Sequence, residues 1–223
     1  MAENLCVLIP SYNEVRTIQG IVSALKTRGL PVYVVDDGSS DDTAKIAERA
    51  GAVVVKHSKN MGKGASLQEG FKHIIKRQID AVIIMDGDGQ HKVSDIDNFT
   101  KKARESGADM VVGNRMSDVS SMPFVRIQTN RFMSNLISKI SGQYVPDTQC
   151  GFRYIKRPLV EKVKFSCSNF EIESEMIIKA ARAGFKIESV PIETVYQDEK
   201  SRINPVIDTV RFIIFIIRMY FKR

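Results

Sequence analysis

The sequence predicts an α/β fold with a mostly parallel sheet flanked by helices, and three features predict it. Short apolar runs of strand length alternate with longer segments whose apolar residues recur at helical spacing. The runs are continuous rather than alternating, as strands covered on both faces require. Two of them drain into paired aspartates, Asp36-Asp37 and Asp86-Gly-Asp88. Alternation of this kind means crossover units, and such sheets bind ligands beyond the carboxyl ends of their strands.

The elements follow in order. Leu5 to Pro10 is a strand stopped by proline, and the loop Ser11-Tyr-Asn-Glu14 leads to a helix carrying Val15, Ile18, Ile21, Val22 and Leu25. Gly29 ends that helix, and Pro31 opens the strand Val32 to Val35. Ser39-Ser-Asp-Asp-Thr43 offers N-cap side chains for a helix through Ala44, Ile46 and Ala47, which Gly51 closes. Ala52 to Val55 is a third strand. Asn60-Met-Gly-Lys-Gly-Ala-Ser66 opens a helix with Leu67, Phe71, Ile74 and Ile75 on one face. The run from Ala81 gives a fourth strand, a helix spans Val93 to Glu105, and Asp109 to Arg115 is a fifth strand. The alternation then breaks. A helix from Phe124 to Ile140 bears Arg126 and Arg131, the segment Val145 to Ile155 connects it onward, another helix follows Glu171, and Ile187 to Ile192 is a last strand.

If the fourth strand stays extended to residue 88, Asp86 and Asp88 project to the same side, since strand side chains have a period of two. Two carboxylates that close repel each other. A hard divalent cation or a ribose hydroxyl pair between them removes the conflict, whereas a plain Asp-Gly turn is the alternative. Gly87 and Gly89 let a ligand approach the backbone. Asp36, Asp37, Asp86, Asp88 and Arg115 all fall at the predicted carboxyl edge of the sheet; any one alone reads as a cap or loop residue.

The 223 residues suffice for one large domain, and 43% hydrophobic with 26% charged residues is ordinary for a folded chain. A net charge of +7 favours a polyanionic partner without choosing among nucleic acid, phosphorylated substrate and anionic membrane. Cys6, Cys150 and Cys167 are widely spaced with no CxxC, which indicates neither a disulfide framework nor a zinc site and fits a cytoplasmic compartment. The N-terminus lacks a secretory pattern, and no stretch reaches the roughly 18 to 20 apolar residues of a membrane span.

From Val206 to Phe221 almost every position is apolar except Asp208, Thr209, Arg211 and Arg218. On a helix Arg211, Arg218 and Lys222 lie within about 40° of one another, leaving the rest of the circumference apolar. This predicts an amphipathic helix in a membrane interface with its basic heads near lipid phosphates. A helix docked on the domain or on a second copy is the alternative.

Four motifs in order, Ile9-Pro-Ser-Tyr-Asn-Glu14, Val35-Asp-Asp-Gly-Ser-Ser40, Asp86-Gly-Asp-Gly-Gln90 and Asp147-Thr-Gln-Cys-Gly-Phe152, resemble glycosyltransferase family 2, and within it the dolichyl-phosphate and polyprenyl-phosphate sugar synthases. The resemblance runs through Ser201-Arg-Ile-Asn-Pro205. It implies a GT-A (Rossmann-like) fold, a nucleotide-sugar donor, Mg²⁺ or Mn²⁺, inversion at the anomeric carbon and a polyprenyl-phosphate acceptor. It implies too a catalytic domain over 1–202, with a nucleotide-sugar half of about 1–115 and an acceptor half of about 116–202, followed by the membrane helix over 203–223. By position, Pro10, Tyr12, Glu14 and Asp37 match contacts to base and ribose, Lys63 borders the donor, and Asp86 with Gly87 lies on the nucleotide side. Asp88 and Gln90 match metal-binding positions, Arg115 and Arg131 match arginines on the donor and acceptor phosphates, and Arg202 matches a basic residue of a closing loop.

The chemistry also follows without the family. Cleaving a sugar–diphosphate bond builds negative charge that a cation and arginines stabilise. A phosphate acceptor is already anionic and needs no general base, whereas a saccharide or lipid hydroxyl would need one, for which Glu171, Glu173 and Glu175 are the candidates. His57, His73 and His91 read as surface histidines, with His91 left open by its nearness to Asp88. The absence of tryptophan excludes the QxxRW signature of processive synthases, so a single sugar is moved. No GxGxxG follows the first strand, Lys63 is followed by glycine instead of the Ser or Thr of a P-loop, and no nucleic-acid recognition motif occurs. Peripheral contact with the cytoplasmic face of a membrane is expected, aided by an anchoring partner protein or by homo-oligomerisation.

Overall fold

The computed structural model describes residues 4–120, 122–193, 211–217 and 219. Arg202, Arg218 and Lys222, to which the sequence reading gave roles, lie outside these residues.

Five strands come from the alternating region: β1 (Leu5–Ser11), β2 (Val32–Asp36), β3 (Val53–Lys56), β4 (Ala81–Ile84) and β5 (Met110–Asn114). Helices α1 (Ile18–Thr27), α2 (Thr43–Arg49), α3 (Lys63–Lys76) and α4 (Ile96–Ser106) connect them. The second region adds α5 (Phe124–Ser141), β6 (Arg153–Lys156), α6 (Arg157–Lys162), α7 (Ile172–Arg182) and β7 (Ile187–Pro191). All seven strands form one sheet in the order β3-β2-β1-β4-β6-β5-β7. Every pairing is parallel except those of β6, which runs antiparallel to both β4 and β5. The sheet is thus continuous across residue 115, and the carboxyl ends of β1, β2, β4 and β5 meet the start of β6 along one edge.

The predicted helical faces are the buried ones: Ile18, Ile21, Val22 and Leu25 on α1, and Leu67, Phe71 and Ile74 on α3. Residues Ala81–Ile84 of β4 are buried throughout, as a strand covered on both faces must be. Val15 precedes α1 rather than belonging to it. The offered caps of α2 act differently from expectation: Asp42, the N-cap, makes no side-chain capping bond, and Asp41 Oδ1 instead accepts from the Thr43 backbone N–H at 3.0 Å.

Two expectations are corrected. The segment Val145 to Ile155 is not merely a connection, because its end enters the sheet as β6; Arg153, Tyr154 and Ile155 are buried, a pattern too short for periodicity to reveal. The fourth strand ends at Ile84, and Gly87–Asp88 is a turn, so an extended backbone does not align Asp86 with Asp88. The C-terminal helix, described over 211–217 and 219, is docked on one side: Phe215 and Met219 join the core, and Arg182 donates to the Met219 carbonyl at 2.6 Å. Ile213, Ile214 and Ile217 on the same helix are exposed. No helix among the described residues is long and apolar enough to cross a membrane.

Candidate active site

The loops that follow β1 and β2 are stitched into one wall. Asn13 takes a left-handed conformation, φ 53°, which lets its backbone N–H donate to Ser39 Oγ at 2.8 Å while its side-chain oxygen accepts from the Ser40 N–H at 2.8 Å. Glu14 N–H donates to Thr43 Oγ1 at 2.8 Å, and Thr17 Oγ1 donates to the Gly87 carbonyl at 2.5 Å, joining the turn after β4 to the same wall. Pro10 is buried in β1, and Tyr12 and Glu14 are half-buried beside it.

Asp37 is almost wholly buried, and three of its four lone-pair sites are taken: Oδ1 accepts from Met61 N–H at 2.9 Å and lies 2.7 Å from His57 Nδ1, while Oδ2 accepts from Gly62 N–H at 2.7 Å. Its carboxylate holds the approach to α3. His57 is correspondingly an inner residue, not the surface histidine expected.

Lys63, at the start of α3, is the hinge of the charge arrangement. Its ammonium lies 2.6 Å from Asp86 Oδ1 and 2.6 Å from Glu173 Oε1. Burial alone would lower the Lys63 pKa, but the charges of Asp86 and Glu173 outweigh it and hold the lysine well above its ordinary value. Burial likewise works against an ionised Asp86, and Lys63 and His91 together reverse it, keeping Asp86 well below the usual carboxylate range. His91 is buried against the Phe152 ring, 4.9 Å between centroids, with Nε2 3.6 Å from Asp86 Oδ2, which overturns its reading as a surface histidine.

Asp88 is placed otherwise. Burial, and then the neighbouring charge of Asp86, raise its pKa, and Oδ1 accepts from the Gln90 backbone N–H at 3.0 Å. Asp86 and Glu173 thus share one ammonium, while Asp88 stands near enough for the charge of Asp86 to raise its pKa. A hard divalent cation at Asp88 would relieve that repulsion. Asp88, with Gln90 beside it, supplies oxygen donors of the kind Mg²⁺ and Mn²⁺ take. No group of three or more acidic, His or Cys residues spaced to cage a metal occurs among the described residues. Ser11 Oγ and His91 Nδ1, both buried near this turn, have no hydrogen-bond partner among the described residues.

On the β5 side, Arg115 is clamped by Asp147: Nε to Oδ2 at 2.7 Å and Nη2 to Oδ1 at 2.9 Å, with the Arg115 backbone N–H on the same carboxylate at 3.2 Å. Burial opposes the charge of Arg115, and the bidentate Asp147 carboxylate outweighs it, keeping the guanidinium firmly protonated. Arg153 is fully buried and donates to three carbonyls, Cys150 at 2.9 Å, Glu173 at 2.6 Å and Thr148 at 2.9 Å, so one side chain ties the 148–150 loop to the first turn of α7. Arg131 is exposed on α5, next to Asn130 on the buried side; α5 is fastened to that loop by the Thr148 N–H on Ser134 Oγ at 2.9 Å. The structure thus brings Asp86, Asp88 and Lys63 together, sets Arg115 on Asp147, and leaves Arg131 on an outer face.

Sequence reasoning gave no role to Asp147, Gly151, Arg153 or the Lys63–Glu173 pair. Asp147 and Gly151 stood in a quoted motif, which was the available signal; the pairing across 110 positions had none. Gly151 passes so close to the charge cluster that a Cβ there would lie 2.4 Å from Asp86 Oδ2 and 2.7 Å from Lys63 Nζ. Gly151→Ala is therefore expected to displace Asp86 and to lower turnover about 100-fold, checked by steady-state kinetics alongside the melting temperature.

Comparison with known proteins decides the family. The sequence model described as glycosyl transferase family 2 matches residues 6–164. The chain belongs to glycosyltransferase family 2. Glycosyltransferase AglJ of Haloferax volcanii is 32% identical over 210 residues, covering 93% of this chain and 67% of AglJ. The UDP-N-acetylglucosamine–dolichyl-phosphate N-acetylglucosaminyltransferase of Methanococcus voltae is 28% identical over 222 residues, covering 89% of this chain and 88% of that one. Among solved structures, glucosyl-3-phosphoglycerate synthase from Mycobacterium tuberculosis in complex with Mn²⁺, UDP and glucosyl-3-phosphoglycerate superposes with a TM-score of 0.71 at 18% identity, over 98% of this chain and 78% of that one. That likeness shows the GT-A fold. The family 2 chain is accordingly a glycosyltransferase with its acidic cluster at the carboxyl edge of the GT-A sheet.

Proposed function

We propose that this glycosyltransferase moves one sugar, with inversion, from a UDP- or GDP-linked donor to a polyprenyl or dolichyl phosphate at the cytoplasmic face of a membrane. The observation that carries the acceptor class is the engagement of the acidic residues of α7. Glu173 is ion-paired to Lys63, and Glu175 accepts from Ser166 N–H at 2.9 Å and Cys167 N–H at 2.9 Å and pairs with Lys179 Nζ at 2.6 Å. Burial works against an ionised Glu175, and Lys179, Ser166 and Cys167 overcome it and hold its pKa down. Both carboxylates are engaged in ion pairs, and Glu171 is the one of the three candidate bases without one among the described residues, so an acceptor already anionic fits better than a hydroxyl. The relative from Methanococcus voltae, named for transfer to dolichyl phosphate, supports the same choice.

The donor would lie along the wall made by Pro10, Tyr12 and Glu14, with Asp37 keeping the approach to α3 in place and Arg202 as a further basic contact. Bound at Asp88 with Gln90, Mg²⁺ or Mn²⁺ would supply charge stabilisation for the departing diphosphate. Lys63 keeps Asp86 ionised and fixed on the nucleotide side. Arg115, oriented by Asp147, has Nη1 left to meet a phosphate, and Arg131 extends the positive charge outward toward the acceptor. Two anionic groups are thereby held near one carbon, where orientation contributes most of the rate.

A transfer assay with Mg²⁺ or Mn²⁺, a short polyprenyl phosphate and a panel of labelled UDP- and GDP-sugars tests the proposal. Label is expected in the organic extract. Transfer to a saccharide hydroxyl instead would return Glu171 to the centre of the mechanism.

A further inference from the structure

The outer face of α5 presents large apolar side chains to solvent. Phe124 is 72% exposed, Val125 75% and Phe132 68%, although such side chains are ordinarily buried. At about 100° per residue the three fall within a sector of roughly 100°, and Arg131 lies about 20° beyond its edge. The helix carries Arg126, Arg131 and Lys139 and no acidic residue over its 18 positions. Its first turn is without an acid, and its N-cap, Pro123, makes no capping bond, so neither of the usual devices for a solvent-facing helix start is present.

The attachment of the helix adds a second argument. Ser134 and Thr148 fasten the opposite face of α5 to the loop that carries Asp147, which in turn holds Arg115. One face of the helix is therefore joined to the site and the other presents rings and Arg131.

We propose that this face of α5 is a membrane-contact surface, seating Phe124, Val125 and Phe132 at the headgroup–acyl boundary of an anionic bilayer with Arg131 on its phosphates. The proposal deepens the lipid-phosphate reading and rests on it. Aromatic rings favour that boundary, and long basic side chains reach from it to the headgroups. A basic helix without a single acid is complementary to a negatively charged leaflet. A second copy of the chain is a poorer occupant, because an isologous contact would set these cations against their own counterparts with no acid on the helix to receive them.

Flotation of the full chain with vesicles of phosphatidylcholine and phosphatidylglycerol in equal parts tests the surface without any acceptor or donor. Phe124→Ser/Phe132→Ser is expected to weaken vesicle binding about tenfold or more with an unchanged melting temperature, since both rings are exposed. The sequence contains no tryptophan, so Phe124→Trp makes a unique reporter, whose emission is expected to shift to the blue on addition of these vesicles. Undiminished binding of the double variant, or an unshifted reporter, overturns the proposal. So does a wild-type dimer that the double variant converts to monomer, which would assign the face to a second copy. Vesicle binding that depends on Phe124 and Phe132 supports the surface even if no sugar reaches a lipid phosphate, so the two readings fail separately.

Discussion

Asp88→Asn is expected to lower kcat/KM for sugar transfer about 1,000-fold or more, the loss typical of removing a group that stabilises developing charge. The same variant is expected to unfold at the wild-type temperature or slightly above it. Asn keeps the shape of Asp88 and the side-chain oxygen that accepts from the Gln90 N–H. It removes a carboxylate that burial and Asp86 already disfavour in its charged form. Activity and stability should thus move in opposite directions, which is how a residue kept for a ligand differs from one kept for the fold. Steady-state kinetics across a titration of Mn²⁺, with thermal unfolding of the same preparations, reads both. Full turnover in Asp88→Asn would remove the cation from this position.

The strand–helix alternation was legible because its signals are local. Continuous apolar runs such as Val82–Ile84 and helical faces such as Leu67, Phe71 and Ile74 announce both element type and buried side. The carboxyl-edge rule then placed Asp37, Asp86, Asp88 and Arg115 on one side of the sheet before any geometry was known. What escaped was non-local or too short. β6 spans only Arg153–Lys156 and holds its place through pairing with β4 and β5, which no window over the sequence contains. Arg153 resembles any other arginine in the sequence, yet it is fully buried because three carbonyls converge on it. The Asp86–Asp88 relation was inferred from a strand that ends earlier than supposed. Both residues remain at the site, one paired with Lys63 and the other in the turn after β4 with its Oδ1 on the Gln90 N–H. The C-terminal helix was read for its apolar circumference, and periodicity alone could not divide the docked Phe215 and Met219 from the exposed Ile213 and Ile217.

Lys63→Met is the second variant with a large expected effect, this time on the fold. The three partners are mostly buried, with side-chain exposures of 13% for Lys63, 24% for Asp86 and 8% for Glu173. Removing the ammonium leaves the two carboxylates facing each other without the charge they share, and breaking a buried pair in this way costs about 3 to 5 kcal/mol. For a chain of this length that corresponds to a fall in melting temperature of roughly 6 to 20 °C. Adding Glu173→Gln should recover part of the loss, because one stranded charge is then gone, whereas two independent sites would give summed losses. Chemical denaturation of the wild type, the two single variants and the double variant measures that coupling directly. The same set separates two roles for Glu173. As a partner of Lys63 it acts only through the lysine, so Glu173→Gln should reduce turnover in the wild-type background and add little once Lys63 is already Met. As a proton acceptor it would add its full effect in either background and reshape the pH–rate profile. A loss undiminished by Lys63→Met, together with an altered acidic limb of that profile, would restore Glu173 as a base and with it the hydroxyl acceptor.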